Sequence, residues 1–115
     1  MTPVIWHNPK CSTSRKALEL LRERGTEPQI VLYLEDPPSA ADIRAVLREA
    51  GLSARELLRT RGTPIAELGL DDPDVSDAAL IKAMVSHPVL IERPVVRTKK
   101  GVRLCRPLER LEEIL

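Results

Sequence analysis

A chain of 115 residues has room for one hydrophobic core, since domains cluster near roughly 100 to 150 residues, and a single domain over 1–115 is expected. Its 18 basic side chains are nearly matched by 17 acidic ones, which excludes a general field recruiting nucleic acid or anionic lipid and leaves any anion preference to a local site. No apolar run approaches the roughly 20 residues of a membrane span, the opening MTPVIWHNPKC lacks a secretory pattern, and two cysteines are few for a small secreted protein, so a reducing cytoplasm is expected.

In chain order, Val4, Ile5 and Trp6 read as a buried strand stopped by the turn-forming His7, Asn8, Pro9 and Lys10. A helix follows, capped by Thr13 or Ser14, with Ala17, Leu18 and Leu21 as its apolar stripe and Gly25 as its end. Ile30 to Leu34 reads as a second strand, and Pro37 and Pro38 mark the clearest break. Ser39 is a good cap for a helix carrying Ile43, Val46, Leu47 and Ala50 and ending at Gly51. Ser53 and Glu56 form a capping box for a short helix through Leu58, with Arg59 in its last turn. Thr63 and Pro64 are expected to open another short helix stopping near Gly69. Ser76 caps a helix with Leu80, Ile81, Met84 and Val85, terminated by His87 and Pro88. Val89 to Ile91, Pro94 to Arg97 and Val102 to Cys105 read as short strands, with Lys99, Lys100 and Gly101 turning between the last two, and Pro107 opens a terminal helix. This order predicts an α/β protein with a mixed sheet flanked by helices.

The chemistry centres on Cys11. An ordinary thiol is only a few per cent ionised at neutral pH, and the thiolate is the nucleophile. Cys11 follows a strand and precedes a helix, so the unpaired amides of Ser12, Thr13 and Ser14 can stabilise its anion or a bound oxyanion. His7 and Lys10 add possible positive charge. A tyrosine-phosphatase loop needs an arginine where this chain has Ala17, and a dithiol redox motif needs a second cysteine where it has Ser14. A resolving thiol must therefore come from elsewhere. Cys105 reads as a small apolar residue in a strand. Among many arginines, Arg59, Arg93 and Arg106 stand at element boundaries beside apolar or proline residues, where a guanidinium can be held for an oxyanion. Arg61 competes with Arg59 for that assignment.

The string HNPKCSTSRKALELLRERGTEP, followed by YLEDPPS, ELLR, HPVLIERPVV and RLCRP, resembles the glutaredoxin-dependent arsenate reductase family over nearly the whole chain. The resemblance implies a thioredoxin-like fold with a helical insertion, and it implies Arg59, Arg93 and Arg106 as anion ligands, which would join the Ser12 and Thr13 amides read from the helix start. It also implies a cis Arg93-Pro94 bond. In the mechanism implied, arsenate binds among the arginines, Cys11 attacks arsenic with loss of water, glutathione attacks the adduct, and glutaredoxin reduces the resulting mixed species as arsenite leaves. No bound cofactor or metal is implied; glutathione is a co-substrate. His7 is expected to lower the thiol pKa and the Ser14 hydroxyl to orient the sulfur. The chain departs from the best-known reductases in having Ser12 where they have glycine and in stopping at Leu115 without their C-terminal extension.

Two other readings follow from the same residues. An Spx-type redox regulator docking on RNA polymerase shares the family likeness, but such a sensor usually has a paired cysteine where this chain has Ser14, and docking gives the arginine set no use. A related thiol oxidoreductase could act on another small substrate. His87 reads as a helix C-terminal cap, one tyrosine and one tryptophan make no base-stacking platform, and a monomer is expected.

Overall fold

Val4–Trp6 forms β1, a strand with a parallel partner on one side and an antiparallel one on the other. The computed structural model describes residues 2–115, in which two compact units are distinguished: 2–36 with Arg93–Leu115, and Pro37–Glu92.

In the first unit, β1 pairs in parallel with β2 (Gln29–Val31) and antiparallel with β3 (Val95–Thr98), which pairs antiparallel with β4 (Gly101–Leu104). The order is β2-β1-β3-β4. β2 is shorter than the Ile30 to Leu34 expected, because the chain turns at Leu32, whose carbonyl accepts from the amides of Glu35 and Asp36. Helix α1 spans Ser12–Glu23. Its buried Ser14, Ala17 and Leu21 recur at spacings of three and four and so share one face. Neither expected cap is used: Cys11 occupies the capping position in extended conformation, and Ser14 lies one turn in, with its hydroxyl engaged elsewhere. After the helix, Gly25 takes the left-handed conformation (φ 80) that lets the Thr26 amide reach back to the Leu21 carbonyl.

The terminal helix after Pro107 is a 3-10 helix, Leu108–Ile114. Three residues per turn keep Leu108, Leu111 and Ile114 on one side, and they meet Ile5, Ala17, Leu21, Val96 and Cys105 in the core. The Arg93-Pro94 bond is cis, as expected, and so is Arg106-Pro107.

The second unit is helical. Helix α2 (Ala40–Ala50) and the four-residue α3 (Ala54–Leu57) both begin with complete capping boxes, from Ser39 with Asp42 and from Ser53 with Glu56. Helix α4 (Asp77–Ser86) is capped by the Ser76 hydroxyl and buries Leu80, Ile81 and Met84. The helix expected from Thr63 to near Gly69 is a run of turns. Leu70 is the buried residue there, so little apolar surface offsets the cost of nucleating a helix. The expected strand Val89 to Ile91 is a 3-10 turn, Pro88–Leu90, since proline at its start supplies no amide and fits a helical first position. Ile91 makes a single antiparallel bridge with Leu58. Arg59 therefore lies past α3 rather than in its last turn, with its amide on the Leu90 carbonyl at 2.7 Å.

Among the described residues, no helix is long and apolar enough to cross a membrane.

Candidate active site

The register of the sheet assembles the site. Trp6 pairs with Val95, and Val95 pairs with Leu104, so the loop after β1, the residues before β3 and the residues after β4 all meet at one end of the sheet. Those segments carry Cys11, Arg93 and Arg106.

The loop carrying Cys11 is tied down locally. The Cys11 amide donates to the Asn8 carbonyl at 3.0 Å, the Asn8 side chain accepts from the Lys10 amide at 2.9 Å, and the Cys11 carbonyl accepts the Arg15 amide at 2.9 Å. That last bond is the first of the α1 ladder, so the amides of Ser12, Thr13 and Ser14 precede it and remain available to other acceptors. Ser12 is exposed and Thr13 half-buried.

Cys11 is buried, with 8% of its surface exposed, so its sulfur is not fully hydrated. Nη2 of Arg106 donates to it at 3.3 Å. The Ser14 amide and the Arg93 guanidinium also hydrogen-bond to it. Burial acts against ionisation, but these donors and the two positive charges outweigh it, and the thiol pKa lies below its ordinary value. The site thus favours the thiolate by donors that a bound oxyanion can share. Arg106 is held by its Nε, which donates to the Arg93 carbonyl at 2.7 Å. Burial lowers the basicity of Arg93, yet its interactions with Cys11 and with Tyr33 leave its pKa raised.

His7 is buried, and its Nδ1 lies 2.6 Å from the Ser14 hydroxyl, which also accepts the Asn8 amide at 3.1 Å. A neutral imidazole whose Nδ1 accepts the Ser14 proton fits these contacts, with the hydroxyl oxygen taking the Asn8 amide. Burial, with Arg22 and Arg15 nearby, pushes the His7 pKa down, consistent with that form. The groups that lower Cys11 are the Ser14 amide and the two guanidiniums, and the imidazole bears on them through Ser14.

Cys11, Ser14, His7, Arg93 and Arg106 are brought together. Arg59 belongs to the Pro37–Glu92 unit, where its Nη1 pairs with Glu92 at 2.7 Å with both side chains largely buried. Arg61 is exposed on the following turn. Cys105 is fully buried in the core, its thiol pushed up to about 12, chiefly by burial. Asn8, Tyr33 and Glu92 were not singled out by sequence. Their roles depend on partners 6, 60 and 33 positions away, as the pairs Asn8 with Ser14, Tyr33 with Arg93 and Glu92 with Arg59 show, and no local pattern marks them. Among the described residues, no group of three or more His, Cys, Asp or Glu side chains is placed to hold a metal ion.

The model of the ArsC family matches residues 6–114. The chain is 51% identical to an arsenate reductase of Rhizobium meliloti over 100% of its own length and 82% of that protein's. It is 49% identical to an arsenate reductase of Escherichia coli over 96% of its length and 79% of that protein's. Its structure superposes on that of an arsenate reductase from Vibrio cholerae with a TM-score of 0.93 at 44% identity, covering 100% of this chain and 98% of the other. The fold is thioredoxin-like, α/β, with the helical Pro37–Glu92 segment inserted in sequence between β2 and β3.

Proposed function

The chain belongs to the ArsC family, and from that premise we propose that it is an arsenate reductase using glutathione and glutaredoxin, acting in a reducing cytoplasm. The observation that carries the reading is the convergence of Arg106, Arg93 and the Ser14 amide on the Cys11 sulfur, a thiolate set among donors suited to an oxyanion.

In the proposed reaction the arsenate oxygens take hydrogen bonds from Arg93, Arg106 and the amides of Ser12, Thr13 and Ser14, with Arg59 as a third guanidinium on the family likeness. The Cys11 thiolate attacks arsenic, an S–As bond forms, an As–O bond breaks, and the oxygen leaves as water after protonation. Glutathione then attacks the adduct. The two electrons arsenic gains come from thiols that end as a disulfide, which glutaredoxin returns to the thiol state as arsenite departs. Cys105 does not fit as the resolving thiol, because it is fully buried and ionises only at about 12. An external thiol suits the site better, since Cys11 is the one cysteine that keeps any exposed surface. The role of His7 in this reading is to hold the Ser14 hydroxyl, and with it the first turn of α1. The whole chain, 1–115, acts as one functional domain.

The test is NADPH consumption coupled through glutathione and glutaredoxin, with arsenate, for the wild type and Cys11→Ser. Arsenate-dependent turnover that disappears in Cys11→Ser is expected. Turnover that persists in Cys11→Ser removes Cys11 as the nucleophile, and no turnover from folded wild-type protein with a reactive Cys11 removes arsenate as the substrate.

A further inference from the structure

Within the Pro37–Glu92 unit, the residues that follow α3 are fastened to the residues that follow the 3-10 turn. The Arg59 amide donates to the Leu90 carbonyl at 2.7 Å, the Glu92 amide donates to the Leu57 carbonyl at 2.8 Å, and Leu58 and Ile91 form the antiparallel bridge between these two bonds. Both Leu58 and Ile91 are buried. Side chains alternate between the faces of extended chain, so Arg59 and Glu92 share the other face as diagonal neighbours, a separation that long side chains span. They meet there, with Nη1 of Arg59 donating to Oε1 of Glu92 at 2.7 Å.

This pair is unlike the ion pairs Arg24 with Glu112 and Arg22 with Glu27, whose side chains are about half exposed or more. Here the two side chains are 16% and 20% exposed. A pair taken this far from water is a weak source of net stability, because desolvating two charges offsets much of their attraction. What it does supply is geometry. A guanidinium offers five N–H donors in a rigid fork, and Glu92 engages it through one nitrogen. Among the described residues, Nε and Nη2 of Arg59 donate to no protein group, so the held guanidinium keeps donors for an oxyanion. An arginine that must be immobilised on binding loses rotamer freedom at that moment, whereas one already held by a carboxylate has met that cost in folding.

We propose that Glu92 is a positioning residue of the oxyanion site, its carboxylate holding the Arg59 guanidinium by Nη1 so that Nε and Nη2 serve the substrate oxyanion. Glu92 touches no reacting atom and acts through Arg59. The proposal rests on the reading of Arg59 as the third guanidinium, but not on the reduction of arsenate, so an oxyanion that thiols do not reduce separates the two.

The experiment is protection of Cys11 against iodoacetamide by inorganic phosphate, read as the phosphate concentration that halves the alkylation rate, in wild type, Glu92→Gln, Glu92→Ala, Arg59→Met and Arg59→Met with Glu92→Ala. Glu92→Ala is expected to need about fivefold more phosphate, the order of effect of immobilising one long side chain on binding. Glu92→Gln, which keeps the volume and an oxygen acceptor for Nη1, is expected to lie nearer wild type than Glu92→Ala. Arg59→Met weakens protection further, and adding Glu92→Ala to it changes nothing more. Protection in Glu92→Ala that equals or exceeds wild type overturns the proposal, since the carboxylate is then idle or a competitor of the anion. A Glu92→Ala loss that persists in full beside Arg59→Met overturns it too, because the effect then does not pass through Arg59. Wild-type protein that phosphate does not protect removes Arg59 as an oxyanion ligand and the proposal with it. Absence of arsenate turnover beside the expected phosphate pattern overturns the reductase reading alone and leaves the role of Glu92 standing.

Discussion

Ser14 has no exposed surface, and its one hydroxyl meets two buried polar atoms, His7 Nδ1 at 2.6 Å and the Asn8 amide at 3.1 Å. Ser14→Ala leaves both unsatisfied, which costs about 1–3 kcal/mol for a buried group, and a lower urea midpoint is the expected reading. Its backbone amide still points at Cys11, so the thiol should lose less reactivity than in Arg106→Ala. The latter removes a donor 3.3 Å from the sulfur together with a positive charge that stabilises the anion. The alkylation midpoint of Arg106→Ala is therefore expected at higher pH than that of wild type; an equal midpoint means Arg106 does not hold the thiolate. Cys11, Ser14 and His7 were legible because a nucleophile between strand and helix is a local pattern. The convergence of Arg93 and Arg106 came from family likeness and was not derivable by spacing, because the β3-β4 hairpin register, a tertiary fact, places them together.

At the scale of the elements, three helices start on a serine whose hydroxyl accepts an amide of the first turn, at Ser39, Ser53 and Ser76. Replacing such a cap by alanine costs about 1 kcal/mol. Ser53→Ala should be the more disruptive to local order, because α3 is only four residues long and has few helical bonds besides those its capping box fixes. Hydrogen exchange at the Glu56 and Leu57 amides, both directed at Ser53, is expected to speed up in Ser53→Ala while α2 is unaffected; unchanged exchange there shows that packing alone holds the turn. These caps were readable because the signal and its partner lie three residues apart. The misassigned segments lack that locality. Thr63 carries helix-starting chemistry, but its hydroxyl is spent on the carbonyls of Arg59 and Thr60, and no apolar stripe follows it. Ser14 fails as a cap for a different reason, since the tertiary demand of His7 outweighs the local one.

For the whole molecule, buried titratable groups bound the pH range of greatest stability. His7 is held below its ordinary 6.5, so the unfolded chain binds its proton more readily and the stability this group supplies is present above 6.5 and lost as pH falls. Cys11 acts in the same direction from a higher pH: its lowered pKa favours the folded anion, and that contribution is complete above the ordinary 9.0. Cys105 acts the opposite way. Its thiol ionises at 9.0 in the unfolded chain and at about 12 when folded, so its stabilising contribution is whole below 9.0 and is lost as pH rises towards 12. Between those values the loss is about 1.4 kcal/mol per pH unit. Every other group is common to wild type and Cys105→Ala, so the difference between the two isolates the buried thiol. Cys105→Ala is expected to be less stable than wild type at neutral pH, where it loses packing against Ile5 and Leu111, and to close that gap as pH rises above 9. Urea midpoints for the two proteins across that range read the effect. A gap that stays constant shows that the Cys105 proton is not linked to folding, and the sulfur then contributes to the core only as volume.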